Sequence, residues 1–177
     1  MTERRLMVLN AALLTVLVAA SVWVWPLLPD QIPIHFNASG EADRMADATL
    51  LKWLLLPLVG VGVAGLVHGG GWWVERSPGM LNLPAQDAYD ALPDDEKQIV
   101  ARHAASFLHG TALGTTVLFA TLQAASYQVA TEPRTDLPWY GDAVVWAFLG
   151  LLLVGTVVHV VRLQRLVRSL HAGDASA

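Results

Sequence analysis

The sequence contains no cysteine and little charge. The absence of cysteine excludes disulfide bonds, thiol catalysis and cysteine-ligated zinc or iron–sulfur centres. Charged residues make up 15% of the chain, whereas a typical soluble domain has about 25%. The formal net charge of −4 argues against binding to nucleic acid, which normally requires a basic surface. Because 54% of the residues are hydrophobic, lipid is the expected environment for much of the surface.

Most of the hydrophobic residues fall in runs that contain no Asp, Glu, Lys or Arg. These runs are 6–28, 53–74, 104–130 and 143–161. A helix needs about 20 apolar residues to cross the hydrocarbon core of a bilayer, where no water satisfies unpaired backbone groups. The sequence therefore predicts an all-α integral membrane protein with four transmembrane helices.

We expect a single membrane domain over residues 1–177. The first apolar run follows Arg4 and Arg5 and has the general form of a signal peptide, but it is longer than the apolar core of such peptides, so we expect it to be retained. Acidic residues after Pro93 favour a helix start there and a third helix that projects into the cytoplasm. The predicted helices are 6–28, 50–74, 93–130 and 139–161, the loops are 29–49, 75–92 and 131–138, and a basic amphipathic segment covers 162–177.

The positions of lysine and arginine predict the orientation. If both termini are cytoplasmic, only Arg44, Lys52 and Arg134 of the 11 basic residues lie outside. The positive-inside rule therefore favours N-in/C-in, with loops 29–49 and 131–138 extracytoplasmic. The arginines after the fourth helix either contact anionic lipids of the inner leaflet or form a plain stop-transfer anchor. They are Arg162, Arg165 and Arg168.

Histidine is the only ionisable residue type inside the apolar runs. His68, His109 and His159 form a possible buried polar site, because ionisable groups in a membrane often mark proton or ion pathways. However, the runs contain no carboxylate to orient an imidazole, as a ligand histidine usually requires. We therefore favour structural roles for these histidines and expect neither a metal nor a cofactor. The motifs GxSxG and HExxH and a phosphate-binding glycine loop are absent, so we predict no enzymatic activity.

Two pairs of glycines are spaced for helix packing. Gly65 and Gly69 lie in the second helix, and Gly110 and Gly114 lie in the third. Small residues four apart let helix backbones approach closely in lipid. The pairs therefore predict contacts between helices, either within the chain or with a larger membrane complex.

The first outer loop contains the stretch LPDQIPIHFNASGEAD, which differs in chemistry from the apolar runs on either side. Ile32, Ile34 and Phe36 alternate with polar residues or proline, which favours an extended segment, and 37–40 has the composition of a turn. We predict that this stretch is a recognition loop. Its candidate residues are Pro29, Pro33, His35, Phe36, Asn37, Gly40 and Asp43.

The longer stretch LPDQIPIHFNASGEADRMADATLLKWLLLPLV resembles the domain of unknown function 1648, the membrane module that begins the SdpI family of bacterial toxin-immunity proteins. The later stretch LNLPAQDAYDALPDDE is similar to an Asn-x-Pro segment of many stand-alone members. The resemblance implies a multi-pass protein of the bacterial plasma membrane that confers resistance to an antimicrobial peptide or holds a transcriptional repressor at the membrane. The last two predicted helices do not match the second helical module of SdpI-like proteins.

These observations predict a non-catalytic membrane protein that senses a peptide or another protein through its outer loop, residues 29–43. Two alternatives remain. The chain could be an accessory subunit of a larger membrane complex, or a small transporter that uses the buried histidines.

Overall fold

The structure is a computed structural model that describes residues 3–174. Its helices are α1 (Glu3–Val24), α2 (Leu50–Arg76), α3 (Gln86–Asp90), α4 (Asp94–Thr131) and α5 (Trp139–Asp174). All except α3 are long and apolar enough to cross a membrane. The prediction of a mainly helical membrane protein with four such helices is confirmed. Short 3₁₀ turns, Trp25–Leu27 and Pro78–Met80, follow α1 and α2.

The predicted all-α class is wrong in one respect, because the first long loop forms a β-hairpin. Strand β1 (Gln31–Phe36) pairs antiparallel with β2 (Ala42–Asp47). The alternating apolar residues of β1 indicated extended backbone, but β2 has the mostly polar sequence ADRMAD. A segment of this kind has little strand preference of its own and becomes a strand through its pairing with β1.

Local chemistry explains where two of the long helices begin. The Thr49 side chain accepts a hydrogen bond from the backbone N–H of Lys52 at 3.3 Å and caps α2. Helix α4 starts directly after Pro93, and its first turn contains Asp94, Asp95 and Glu96, whose charges suit a helix N-terminus. With 38 residues, α4 is about 57 Å long at 1.5 Å per residue, well beyond the roughly 30 Å thickness of the hydrocarbon core.

Helix α4 is the central element of the bundle and packs against α1, α2 and α5. Helix α5 is peripheral, and large side chains along its middle are exposed, as expected for a helix that faces lipid. The hairpin lies at one end of the bundle, which we call the hairpin end. The start of α1, the end of α5 and the whole of α3 lie at the other, which we call the terminal end.

A small apolar core at the terminal end joins α3 to the ends of α4 and α5. Tyr89 is fully buried there, and its hydroxyl donates to the carbonyl of Pro78 at 2.6 Å. The phenol of Tyr89 has a raised pKa, mainly because it is buried. The cluster consists of Tyr89, Leu92, Val100, Leu163 and Val167.

Helix α5 continues unbroken from the predicted fourth span through most of the predicted basic segment to Asp174. The apolar face of the predicted basic segment packs on α3 and α4, where Leu163 and Val167 are buried. Arg162, Arg165 and Arg168 are exposed. Residues 175–177 of that segment lie outside the described residues.

Candidate functional site

A cavity of about 420 Å³ lies at the hairpin end, between β1 and the adjacent parts of α2 and α4. Its size falls within the range of about 300–1,000 Å³ that is usual for ligand sites. Pro33 and Phe36, both predicted recognition residues, line it. The other lining residues are Ile32, Ile34, Lys52, Trp53, Leu55, Leu56, Val59, Leu122, Gln123 and Ser126.

Polar side chains of α4 form part of the cavity wall. The Gln123 amide donates to the Trp53 carbonyl at 3.3 Å, and the Trp53 indole donates to the Ser21 carbonyl at 2.8 Å. These bonds connect α4 to α2 and α2 to α1. Gln123 and Ser126 were identifiable from the sequence as polar residues in an apolar run, but only the fold places them beside β1.

Backbone hydrogen bonds attach the hairpin to the loop between α4 and α5. The amide of Leu137 donates to the Gly40 carbonyl at 2.8 Å, and the amide of Ala42 donates to the Thr135 carbonyl at 2.7 Å. Phe36 and Ala42 also pack against a cluster at the ends of α4 and this loop, formed by Ala125, Val129 and Leu137. The hairpin is therefore held over the cavity by both backbone hydrogen bonds and apolar contacts.

Two of the predicted recognition residues shape the turn of the hairpin. Asn37 Oδ1 accepts from the amides of Ser39 and Glu41 at 2.9 and 3.0 Å. Gly40 has φ of 78°, as its place in the predicted turn requires. A Cβ atom built at Gly40 would lie 2.7 Å from Asp142 Oδ1, so the turn also lies directly against the first turn of α5.

The remaining predicted loop residues lie on the exposed side of the hairpin. His35 Nδ1 donates to Asp43 Oδ1 at 2.5 Å, which links β1 to β2. This hydrogen bond is the main cause of the lowered pKa of Asp43. Pro29 is exposed and precedes β1. Among the predicted recognition residues, Pro33 and Phe36 thus face the cavity, while His35, Asn37, Gly40 and Asp43 hold the shape of the hairpin.

A second polar site lies between α1, α2 and α4, toward the terminal end. His68 Nδ1 is 2.8 Å from His109 Nδ1, and His68 Nε2 is 2.7 Å from Asn10 Nδ2. Asn10 and His109 are 0% and 1% exposed. The structure therefore brings together two of the three predicted histidines. Asn10 was not predicted, although a lone amide in an otherwise apolar run was a visible signal.

The third predicted histidine lies elsewhere. His159 of α5 stacks on Phe107, with 4.3 Å between ring centroids, and is not part of the hydrogen-bonded chain. Within residues 3–174, no group of three or more His, Cys, Asp or Glu side chains is arranged to hold a metal ion.

Most of the glycines predicted to pack helices do not do so within the chain. No atom of the described neighbouring elements lies within 4 Å of a Cβ built at Gly65, Gly69 or Gly110. Gly114 approaches Phe148 at 3.4 Å, but a cavity of about 420 Å³ lies beside it between α4 and α5. The close contacts between α2 and α4 instead involve Gly60 and Gly71, because helical spacing alone does not indicate which face meets a neighbour.

The fold and the hairpin-end cavity define a membrane protein with an ordered hairpin outside its apolar helices. Residues 12–61 match the family described as Domain of unknown function (DUF1648). The matched segment covers most of α1, the hairpin and the first part of α2. Comparisons with curated proteins and with solved structures found no match for this chain.

Proposed function

We propose that the protein is a non-catalytic receptor of the bacterial plasma membrane that binds an amphiphilic peptide in the hairpin-end cavity. The observation that carries the proposal is the position of this cavity, which has a strand on one side and apolar helices on the other. A ligand there would contact residues of the hairpin and also residues of the apolar helices α2 and α4. Peptides that act on membranes have both kinds of surface.

The chemistry of the cavity supports an amphiphilic ligand. Ile32, Ile34 and Leu122 supply apolar walls, and Gln123 supplies a polar group that can fix orientation. Lys52 lies at the start of α2, and its ammonium group donates to the Asp47 carbonyl at 3.0 Å. We propose that this ammonium group attracts a carboxylate of the bound peptide.

The proposed orientation is N-in/C-in, which places the hairpin on the outer surface. The distribution of lysine and arginine supports it. At the terminal end, Arg162, Arg165 and Arg168 are exposed while the apolar side of the same helix is buried. We propose that these arginines contact anionic lipids of the inner leaflet. The resemblance of the hairpin to SdpI-like immunity proteins supports sensing of, or immunity to, a peptide.

The experiment compares two apolar residues on paired strands. Ile34 lines the cavity and is 49% exposed, whereas Met45 is 46% exposed and does not line it. A deletion strain is complemented with wild type, Ile34→Asp or Met45→Asp and challenged with a panel of envelope-active peptides. We expect wild type and Met45→Asp to restore resistance and Ile34→Asp to fail, at equal amounts of protein in the membrane.

Three results would contradict the proposal. These are unchanged sensitivity of the deletion strain to every peptide, full rescue by Ile34→Asp, and equal loss of rescue in both variants. The last result would indicate a general effect of charge on the hairpin. His35→Ala combined with Gly40→Val tests the hairpin itself, because both residues maintain its shape without lining the cavity.

A further inference from the structure

The strongest feature outside the hairpin end is the chain of hydrogen bonds from Asn10 through His68 to His109. It links three helices within the apolar part of the bundle, where an unpaired polar group is costly. Nevertheless, Asn10 Oδ1 is buried and has no hydrogen-bond partner among the described residues. If the amide were rotated so that Oδ1 faced His68, Nδ2 would be the atom without a hydrogen-bond partner.

The positions of the protons on the two histidine rings assign a role to the unpartnered oxygen of Asn10. With Asn10 Nδ2–H donating to His68 Nε2, His68 must carry its proton on Nδ1 and donate it to His109 Nδ1. Both imidazoles are then neutral. An added proton turns His68 Nε2 into a donor, so the amide must rotate and offer Oδ1 as acceptor. The atom that lacks a partner in the neutral chain is the one that the protonated chain requires.

We propose that the His68–His109 pair, capped by Asn10, is a site that binds one proton. A second proton would set N–H against N–H across the 2.8 Å between the two Nδ1 atoms, so the capacity is one. In the balanced step, the added proton bonds to His68 Nε2, His68 Nδ1–H continues to donate to His109 Nδ1, and Asn10 rotates from donor to acceptor. Protonation thereby changes the hydrogen bond between α1 and α2.

The surroundings indicate the end from which the proton arrives. Ser106 lies one turn before His109 on α4 and donates to Glu3 Oε1 at 3.1 Å. In the other direction, Thr116 donates to the carbonyl of Ala112 in its own helix. Beyond it, a Cβ at Gly60 would lie 3.0 Å from the Phe119 ring, so α2 and α4 are in contact there. We therefore infer that the proton enters from the terminal end.

Charged and titratable groups near the pair are also concentrated toward that end. Between the pair and the hairpin end, the apolar runs of α1, α2, α4 and α5 contain no Asp, Glu, Lys, Arg or further His, because His159, which stacks on Phe107, lies toward the terminal end. A proton on the pair is thus balanced only by groups at the terminal end. They include Glu3, Arg4 and Arg5 of α1, Glu75 and Arg76 of α2, Arg102 and His103 of α4, and His159 and Arg162 of α5.

The proposal is tested by nitrogen NMR of the full chain in lipid nanodiscs, with ¹⁵N-labelled histidine and a pH titration. We expect a scalar ¹⁵N–¹⁵N coupling across the hydrogen bond between the Nδ1 atoms of His68 and His109. We also expect the two rings together to take up one proton. Asn10→Leu removes the acceptor and should lower the proton affinity of the pair about tenfold or more, as loss of one hydrogen bond to a charged group implies.

Two glycine variants provide matched controls for geometry. A Cβ at Gly71 would lie 2.8 Å from His109 Cε1, whereas no atom of the described neighbouring elements lies within 4 Å of one at Gly70. Gly71→Ala should therefore abolish the coupling and Gly70→Ala should keep it. Asn10→Leu replaces the amide with an apolar group of similar size, and circular dichroism and elution as a single species check that the variant is folded.

Several outcomes would overturn the proposal. They are independent titration of the two rings with one proton each, no proton uptake by either ring, and an unchanged proton affinity in folded Asn10→Leu. Stoichiometric binding of Zn²⁺ that eliminates the coupling at neutral pH would also overturn it, because the pair would then be a metal site. The proposal does not depend on the hairpin-end cavity, and neither set of results decides the other.

Discussion

At the residue scale, the hydrogen bond between His35 and Asp43 makes the hairpin sensitive to acid. The pKa of Asp43 is lowered from its ordinary 3.8, mainly by this bond. A carboxyl group with a lowered pKa stabilises the fold above its unfolded value, and the contribution disappears as the pH falls through the folded value. The hairpin should therefore keep this contribution at neutral pH and lose it below pH 3.8.

The measurement is a ¹³C titration of the Asp43 carboxyl group. His35→Ala should raise the Asp43 pKa toward 3.8, whereas His171→Ala, at the far end of α5, should not change it. An unchanged Asp43 titration in His35→Ala would show that another interaction holds the carboxylate.

A second residue-scale prediction concerns Gly40, where backbone and contact effects can be separated. Alanine at φ of 78° is expected to cost about 1–2 kcal/mol from left-handed strain alone. Its Cβ would in addition approach Asp142 Oδ1 at 2.7 Å. Gly40→Ala should therefore increase trypsin cleavage at the exposed Arg44, and the effect should be smaller in an Asp142→Ala background.

The double-mutant cycle decides between the two causes. Coupling between the substitutions is expected because the two residues are in contact. If Gly40→Ala has the same effect in both backgrounds, only the strain matters. If it has no effect in either, the turn is not held as the structure describes.

The sequence allowed the turn to be predicted, but not what the turn contacts. Asn and Gly at 37–40 indicate a turn because their chemistry acts within a few residues. Asp142 lies in a distant part of the chain, and no local pattern connects it to Gly40. The same holds for Asn10, since a polar residue in an apolar run signals a partner without identifying it.

At the element scale, the contact between α2 and α4 depends on Gly60. A Cβ there would lie 3.0 Å from Phe119 Cγ, whereas a Cβ at Gly62 would meet no described neighbour within 4 Å. Gly60→Leu should destabilise the bundle by about 1–3 kcal/mol through overpacking. Gly62→Leu directs its side chain away from the contact and should change stability little. Thermal unfolding of both variants in the same nanodiscs measures the difference.

Equal effects of the two leucines would contradict this assignment of helix faces.

The comparison matters because the glycine pairs selected by spacing, 65/69 and 110/114, were not the residues at the close contacts of α2 with α4. Apolar runs define helices through local composition, so four long helices could be predicted. Which face of each helix meets its neighbour depends on the whole bundle. Strand β2 and helix α3 were missed for a similar reason, as both are stabilised by contacts made elsewhere.

At the scale of the whole molecule, the two ends of the bundle have different chemistry. The hairpin end has a cavity under a strand, and the terminal end has an apolar core extended by α3, with the exposed arginines of α5. Both proposals assign a side of the membrane to one end of the bundle. Under the proposed N-in/C-in orientation, the peptide reaches the hairpin from outside, and the proton reaches the histidine pair from the cytoplasm. Orientation in the membrane is therefore the property on which the two proposals jointly depend.

The lack of cysteine makes this orientation measurable, because any introduced thiol is unique. Ser39 in the hairpin turn and Ala172 near the end of α5 are both exposed. With N-in/C-in topology, a membrane-impermeant maleimide added to intact cells should label Ser39→Cys and leave Ala172→Cys unlabelled until the membrane is permeabilised. The unmodified chain gives the background. The reverse pattern would place the hairpin in the cytoplasm, where an envelope peptide has no access, and would direct proton entry to the outer face.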